Sequence, residues 1–269
     1  MLIIRADLHL HSCLSPCGDL LMSPATIAHI LAQKKITLAA LTDHNTALNS
    51  PGFAAACKKE NIVLLYGMEA QTSEEIHVLC LFPRMETSLE FCNAWYDSLP
   101  NIPNKPEVTG DQVIVDENDE ITGVLDKYLI VSAPYSLDEC ARMVHDNGGL
   151  VIPAHVDRPA FSMISQLGQI VKGDWDALEF VRPQILEETK ERLVQTNKDG
   201  LNARQIAESL PVILPAPYPV TTSSDAHYIE HIGRRAFDLD LGNDSLTDSD
   251  GLVSLLTVRA AFAKRVVHP

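Results

Sequence analysis

Residues 2–11 read LIIRADLHLH, a short and mostly apolar run that ends in an aspartate and two histidines spaced two apart. The part from Leu2 to Ala6 predicts a buried strand. In an extended chain, side chains at positions i and i+2 point to the same side. His9 and His11 can therefore reach one metal ion together, although two surface histidines at a strand end would show the same pattern.

Strand and helix signals alternate after this segment. Ser23-Pro24 begins a predicted helix that runs to about Lys35, since serine is favoured as an N-cap and proline in the first turn. The next predicted elements are a strand at 38–42, a helix at 50–60 and a strand at 62–68. This alternation indicates an α/β fold with parallel strands, because a crossover helix lets successive strands run in the same direction.

The alternation is interrupted after the third strand. Ile76–Phe82 is strand-like and follows only the polar turn Thr72–Glu75, which predicts an antiparallel hairpin. Residues at about 84–134 combine a helix at 88–99, a Pro- and Asn-rich stretch and two short strands around an acidic turn. We interpret this region as an inserted lobe.

The α/β pattern resumes after this lobe. The remaining predicted elements are helices at 136–147, 184–195, 203–209 and 249–264 and strands at 150–154, 177–181, 220–223 and 236–241. Gly148-Gly149 ends the first of these helices.

The composition excludes several classes of function. With 21 Lys and Arg against 36 Asp and Glu, the formal net charge is −15, so attraction to a nucleic-acid backbone cannot supply the main affinity. The apolar runs are far shorter than the roughly 20 residues of a membrane span, and the N-terminus is too short for a signal peptide. We expect a cytoplasmic protein with reduced cysteines that binds neither membranes nor long nucleic acid.

Imidazoles or carboxylates follow nearly every predicted parallel strand. In a parallel α/β barrel such positions share the C-terminal face, where active sites form. His77 begins its strand, but in an antiparallel hairpin the start of one strand lies beside the end of its neighbour. Nine residues are therefore candidate ligands, namely His9, His11, Asp19, His44, Glu69, His77, His155, Asp225 and His227.

This ligand set is larger than a single four- to six-coordinate ion can use, so more than one ion is predicted. Histidine with Asp and Glu suits Zn²⁺, Mn²⁺ or Fe²⁺. Cys13 and Cys17 could form an additional C-x₃-C pair. No second pair accompanies them, so thiols packed near the site are favoured.

The chain resembles the PHP (polymerase and histidinol phosphatase) superfamily. The resemblance covers nearly the whole length and rests on D-x-H-x-H at Asp7–His11, T-D-H at Thr42–His44, G-x-E at Gly67–Glu69, the isolated His77, A-H at Ala154-His155 and S-D-A-H at Ser224–His227. It implies that residues 1–269 form one distorted, TIM-like seven-stranded (β/α) barrel. The lobe at about 84–134 would then be inserted between the fourth and fifth barrel strands.

The resemblance also implies a site for three divalent metal ions. It places His9, His11, Glu69 and Asp225 on one ion, Glu69, His77 and His155 on a second, and Asp19, His44 and His227 on a third. The match is closest to stand-alone phosphoesterases of the family. The implied reaction is hydrolysis of a small phosphomonoester, a nucleotide or a short oligonucleotide end, with a metal-bridging hydroxide attacking phosphorus.

Three other residues are predicted to act beside the ligands. Arg158 follows His155 by three positions and is a candidate phosphate clamp, because a guanidinium can form two bonds to phosphate. An ion pair with Asp157 is the alternative. Asp7 and Asp43 stand next to ligands, where a carboxylate commonly orients a metal-bound imidazole through its second nitrogen.

Two other functions compete with the phosphoesterase. A non-catalytic PHP domain could bind metal for a structural or regulatory role, but the complete ligand set argues against it. An amidohydrolase-like C–N hydrolase also opens with H-x-H. The missing carbamylated-lysine signature and the presence of Glu69 with His77 argue against that reaction.

Overall fold

The computed structural model describes residues 2–184 and 218–264. Its strands are β1 (Leu2–Asp7), β2 (Leu38–Leu41), β3 (Val63–Gln71), β4 (His77–Phe82), β5 (Val113–Val115), β6 (Ile121–Val124), β7 (Leu150–Pro153), β8 (Leu178–Glu179), β9 (Val220–Thr221) and β10 (Phe237–Gly242). Its helices are α1 (Pro24–Gln33), α2 (Ser50–Lys59), α3 (Met85–Ser98), α4 (Pro106–Thr109), α5 (Leu137–Asp146), α6 (Met163–Leu167) and α7 (Leu255–Ala263). Apart from Gln184, the predicted helices at 184–195 and 203–209 lie outside the described residues.

Six strands form one mixed sheet in the order β10-β1-β2-β3-β4-β7. Strands β1, β2 and β3 are parallel, as the alternation of strands and helices predicts. The predicted hairpin is confirmed, since β4 is antiparallel to β3. Because β4 is also antiparallel to β7, β7 runs in the same direction as β1 to β3. The ends of these four strands and the start of β4 therefore share one edge of the sheet.

The α/β class is confirmed, but the seven-stranded barrel is not. Strand β10 runs antiparallel to β1, and β8 and β9 form a separate parallel pair of two residues each. Among the described residues, β8 and β9 form no ladder with the strands of the main sheet, and individual hydrogen bonds connect this pair and the segment after it to that sheet. The Val156 NH donates to the Glu179 carbonyl (2.8 Å), and the His11 NH donates to the Ala226 carbonyl (3.0 Å).

The helix starts follow the capping signals in part. The Ser23 side chain accepts from the Thr26 NH at the start of α1, as expected. The last helix begins at Leu255 and not at 249, because Asp248 Oδ1 accepts from two backbone NH groups in a tight turn before it. Within residues 2–184 and 218–264, no helix combines the length and apolar character needed to cross a membrane.

The region at 84–134 contains both core and surface structure. Helix α3 packs Phe91, Cys92 and Trp95 into the largest apolar cluster of the described residues, whereas β5 and β6 form their own two-stranded sheet. The Trp95 Nε1–H donates to Asn45 Oδ1 (2.7 Å), which ties α3 to the loop after β2. The inserted lobe remains our interpretation of this region.

Gly67 allows the close approach of β3 and β4. A Cβ atom at this position would lie 1.9 Å from the Cys80 carbonyl oxygen. We expect Gly67→Ala to lower the free energy of unfolding by about 1–3 kcal/mol, because the strands must separate to admit the methyl group. Urea denaturation measures this change.

Gly123→Ala is the matched control, since Gly123 also lies in a strand. A Cβ atom there would meet only side-chain atoms of Ile114, the nearest at 3.3 Å. A loss of stability as large as that of Gly67→Ala would contradict the account of the β3–β4 contact.

Candidate metal centre

Eight of the nine predicted ligands converge at the shared edge of the sheet. They follow β1, β2, β7 and β9, lie near the end of β3, or begin β4; they are His9, His11, His44, Glu69, His77, His155, Asp225 and His227. Seven of them are buried, and only His227 is partly exposed. The strand directions explain this convergence, including the position of His77 at the start of the antiparallel strand.

The Glu69 carboxylate lies at the centre of this cluster. Five imidazoles have a ring nitrogen 2.9–3.3 Å from one of its oxygens, those of His9, His11, His44, His77 and His155. Burial acts to raise the pKa of Glu69, but the neighbouring His77, His9 and His44 hold that pKa well below its usual range. Glu69 is therefore held as a carboxylate anion, and its two oxygens face the ring nitrogens of all five imidazoles.

Three sets of residues can each bring three ligand atoms within 4.8 Å of one another. They are His9 with His11 and Asp225, His44 with Glu69 and His77, and His11 with His44 and His227. Metal bonds of about 2.0–2.2 Å place two ligands of one ion roughly 3.0–3.6 Å apart. The first set has this spacing, since its two Nε2 atoms are 3.2 Å apart and Asp225 Oδ1 lies 3.5 Å from each.

Unpaired buried atoms support a cation at the same place. Among the described residues, the buried side-chain nitrogen and oxygen atoms without a hydrogen bond are His44 Nδ1, Thr46 Oγ1, His155 Nδ1 and Asp225 Oδ1. Buried polar atoms are normally paired. His44 Nδ1 lies 3.0 Å from Glu69 Oε2. Asp225 Oδ1 lies 3.5 Å from a ring nitrogen of three imidazoles, those of His9, His11 and His227. None of these contacts has hydrogen-bond geometry. The residues present therefore fit divalent metal ions.

Asp19 is not brought into any of these three sets. Its Oδ1 accepts from the Leu21 NH (2.8 Å), and its own NH donates to the His227 carbonyl (2.9 Å).

The two cysteines of this loop have different environments. Cys13 is buried and packs with Val113 and Val115, whereas Cys17 is exposed. The packing predicted for Cys13 is therefore confirmed, and that predicted for Cys17 is not.

Asp7 holds the loop of Asp225 and does not contact an imidazole. Its carboxylate accepts from the Ser224 NH (2.9 Å), the Ser224 hydroxyl (2.6 Å) and the Gly233 NH (3.1 Å). The Asp7 carboxylate, which was predicted to orient an imidazole of the site, is engaged in these hydrogen bonds instead. The residue instead fixes the segment that carries Asp225 beside the end of β1.

Asp43 is connected to a ligand through one hydroxyl group. Its carboxylate accepts from the NH and hydroxyl of Ser12 and from the hydroxyl of Ser15, each at 2.7 Å. The Ser15 oxygen in turn lies 3.0 Å from His11 Nδ1. Asp43 therefore orients His11 indirectly and not through the direct contact that was predicted.

A buried carboxylate outside the predicted set contacts His9. Both oxygens of Glu179 lie 3.1 Å from His9 Nδ1. Glu179 ends β8, so it follows the same rule of a polar side chain at a strand end as the predicted ligands. The position of Glu179 at the end of this strand was therefore the feature of the sequence that could have identified it.

Arg158 faces the cluster and not its neighbour in sequence. Its Nη1 donates to Asp225 Oδ2 (2.9 Å), while the carboxylate of Asp157 accepts from the NH groups of Val181 and Arg182. The Arg158 side chain is 37% exposed. It therefore lies between the buried ligands and solvent, and the alternative ion pair with Asp157 is not formed.

Three residues at the site have a left-handed backbone, which costs roughly 1–2 kcal/mol for a residue other than glycine. They are His155 (φ 30°), Phe161 (φ 54°) and Asp225 (φ 47°). The Phe161 ring stacks on His77 with centroids 4.9 Å apart. Strained residues of this kind persist where tertiary contacts fix them, and they are common at functional sites.

Comparison with known proteins gives a family and a set of related folds. A family model for the PHP domain matches residues 7–194. No curated protein matches the sequence. The fold is similar to that of the lesion-specific endonuclease PfuEndoQ from Pyrococcus furiosus, with 17% identity and a TM-score of 0.62 over 98% of this chain and 56% of that chain.

A second similar structure is Endonuclease Q in complex with a 27-mer duplex that carries an abasic lesion at the active site. It has 18% identity and a TM-score of 0.60, over 98% of this chain and 57% of that chain. This chain thus spans little more than half the length of the two endonucleases.

The family match covers well over half of the chain and includes the ligand candidates from His9 to His155. Asp225 and His227 lie beyond the matched range, and the fold brings them to the same cluster. The chain belongs to the PHP domain family.

Proposed function

We propose that this protein is a metal-dependent hydrolase of phosphate esters. The observation that supports it most is the convergence of imidazoles around the buried Glu69 carboxylate, within three overlapping sets of ligand atoms. Divalent ions held there would supply Lewis acidity towards phosphoryl oxygens and a water of lowered pKa, both of which phosphate-ester hydrolysis requires.

The ions would bind within these overlapping sets of ligand atoms, with Zn²⁺, Mn²⁺ or Fe²⁺ as the candidate metals. Glu69 can serve more than one ion, because Oε1 faces His77 and His155 while Oε2 faces His44 and His11. The overlap of the sets at His11 and His44 favours a compact cluster over separate sites.

Arg158 is the residue that we propose binds the phosphate. A guanidinium has five donors, and the contact with Asp225 uses one nitrogen, Nη1. His227 is the most exposed imidazole of the cluster, with 19% of its side chain accessible. The open side of the site therefore lies near Arg158 and His227, and a phosphate that enters there meets the guanidinium beside the ligands.

The burial of the cluster favours a small or terminal phosphate. His9, His11 and His155 are fully buried, so a phosphate flanked by a long duplex would have difficulty approaching them. The net charge of −15 also disfavours long nucleic acid. We therefore propose a phosphomonoester, a nucleotide or a short oligonucleotide end. The similarity to the fold of Endonuclease Q makes a lesion-containing duplex the second candidate.

A substrate screen tests this function. Protein stripped with a chelator is reloaded separately with Mn²⁺, Zn²⁺ or Fe²⁺ and assayed against phosphomonoesters, phosphodiesters, 5′-phosphorylated short oligonucleotides and a duplex with an abasic site. We expect hydrolysis of a monoester or terminal phosphate that is lost on chelation and restored by metal, because the ions supply the Lewis acid. His29→Ala changes an exposed histidine outside the cluster and should keep full activity.

Three results would contradict the proposed reaction or the proposed substrate class. A metal-loaded protein that hydrolyses no phosphorus compound would favour the non-catalytic alternative, and cleavage of amides in a parallel panel would favour the C–N hydrolase. Faster turnover of the abasic duplex than of every monoester would overturn the proposed substrate class.

The role of Arg158 can be tested separately. We expect Arg158→Ala to lower kcat/KM about 10- to 100-fold while metal content is retained, because a charge-assisted hydrogen bond to phosphate is lost. Arg158→Lys should lose less, since it keeps the charge but not the planar fork. Steady-state kinetics with metal analysis of each variant measures both effects.

Arg84→Ala is the control for Arg158→Ala, because Arg84 is an exposed arginine whose ion partner is the surface residue Asp250. Equal activity of Arg158→Ala, Arg84→Ala and the unmodified protein would exclude phosphate binding by Arg158.

A further inference from the structure

Glu179 is a buried carboxyl group that the proposed metal sets do not use. Its side chain is 1% exposed, and the His9 side chain beside it is fully buried. Among the hydrogen bonds of the described residues, its carboxylate has no partner other than His9. A buried polar group is costly unless it is paired, and in the described part of the chain His9 is the partner of the Glu179 side chain.

The contact lies on the opposite side of the imidazole from the metal sets. His9 Nε2 is 3.2 Å from His11 Nε2, 3.2 Å from Glu69 Oε1 and 3.5 Å from Asp225 Oδ1. Glu179 contacts only Nδ1. Because the two ring nitrogens point in different directions, Glu179 cannot share a cation that binds at Nε2.

The backbone fixes Glu179 in this position. Its carbonyl accepts from the Val156 NH (2.8 Å), and it pairs with Thr221 in the β8–β9 ladder. Val156 directly follows His155, another member of the cluster. These contacts hold the backbone of Glu179 to the segment beside the site, and the side chain extends from this fixed point to His9.

We propose that Glu179 is the positioning residue for His9. Its carboxylate accepts the Nδ1–H of His9, which fixes the tautomer with an unprotonated Nε2 and makes that nitrogen a stronger donor to a cation. His11 differs, because its Nδ1 meets the neutral hydroxyl of Ser15. His9 is thus the stronger ligand of the pair. The inference rests on the proposed function only in requiring that Nε2 of His9 binds a metal ion.

The test is metal affinity and not activity. Glu179→Gln keeps the size of the side chain and an oxygen acceptor but removes the charge. We expect its affinity for Zn²⁺ and Mn²⁺, measured by competition with a chromogenic chelator, to fall about 10- to 100-fold, the usual loss when a residue behind a metal-bound histidine is changed. Glu179→Ala should lose at least as much, because the Nδ1–H then has no acceptor.

Asp176→Asn is the matched control. Asp176 is also a largely buried carboxylate near β8, but it pairs with Arg259 and His145. This variant should bind metal like the unmodified protein. Thermal unfolding followed by circular dichroism verifies that each variant is folded at the temperature of the measurement.

A second measurement reports the proton directly. In zinc-loaded protein with ¹⁵N-labelled histidine, the Nδ1–H resonance of His9 should lie downfield in the unmodified protein and move upfield in Glu179→Gln and Glu179→Ala. A positioning role requires this change, whereas a role in packing alone does not.

The outcomes separate this inference from the proposed function. Metal affinities within twofold of the unmodified protein for both Glu179 variants would overturn the role of Glu179. An unmodified protein that binds metal but hydrolyses no phosphate ester would overturn the proposed function, while the affinity comparison would still decide the role of Glu179. An unmodified protein that binds no divalent ion would overturn both.

Discussion

The buried carboxylate of Glu69 and the imidazoles around it constrain one another. A carboxylate that is 1% exposed is expensive to bury, and five neighbouring histidines lie within 3.3 Å of its oxygens. The imidazoles in turn need a partner, because their buried ring nitrogens would be unpaired if neither the Glu69 carboxylate nor a cation lay between them. His44 Nδ1 and Asp225 Oδ1 are unpaired even in this arrangement. The cluster is therefore incomplete as a set of hydrogen bonds and is explained by bound divalent ions.

The fold supplies this cluster through the directions of its strands. Parallel strands β1, β2 and β3 end at one edge with β7, and β4 begins there because it runs the opposite way. Two further members of the cluster, Asp225 and His227, come from the segment after β9, which Asp7 holds through Ser224 and Gly233. The cluster thus depends on contacts between residues more than two hundred positions apart, such as those of Asp7 with Ser224 and Gly233.

The sequence was informative where local rules decide the structure. Alternating apolar runs and helix starts predict β1 to β3, and the short polar turn predicts the antiparallel β4 and the position of His77. It was less informative where a tertiary contact decides. Glu179 and His9 are 170 positions apart, and only the fold shows that Glu179, not Asp7, lies behind His9. The predicted barrel also required β8 and β9 to pair with the strands beside them along their length. In the structure, β8 and β9 pair only with each other, at two positions of the described chain.

Anomalous X-ray scattering from a crystal of manganese-loaded protein would locate the ions. We expect more than one anomalous peak between the imidazoles and Glu69, with the nearest peaks about 2.0–2.3 Å from His9 Nε2, His11 Nε2 and a Glu69 oxygen. A fully loaded crystal with no peak in this cluster, or with peaks only at surface carboxylates, would contradict it.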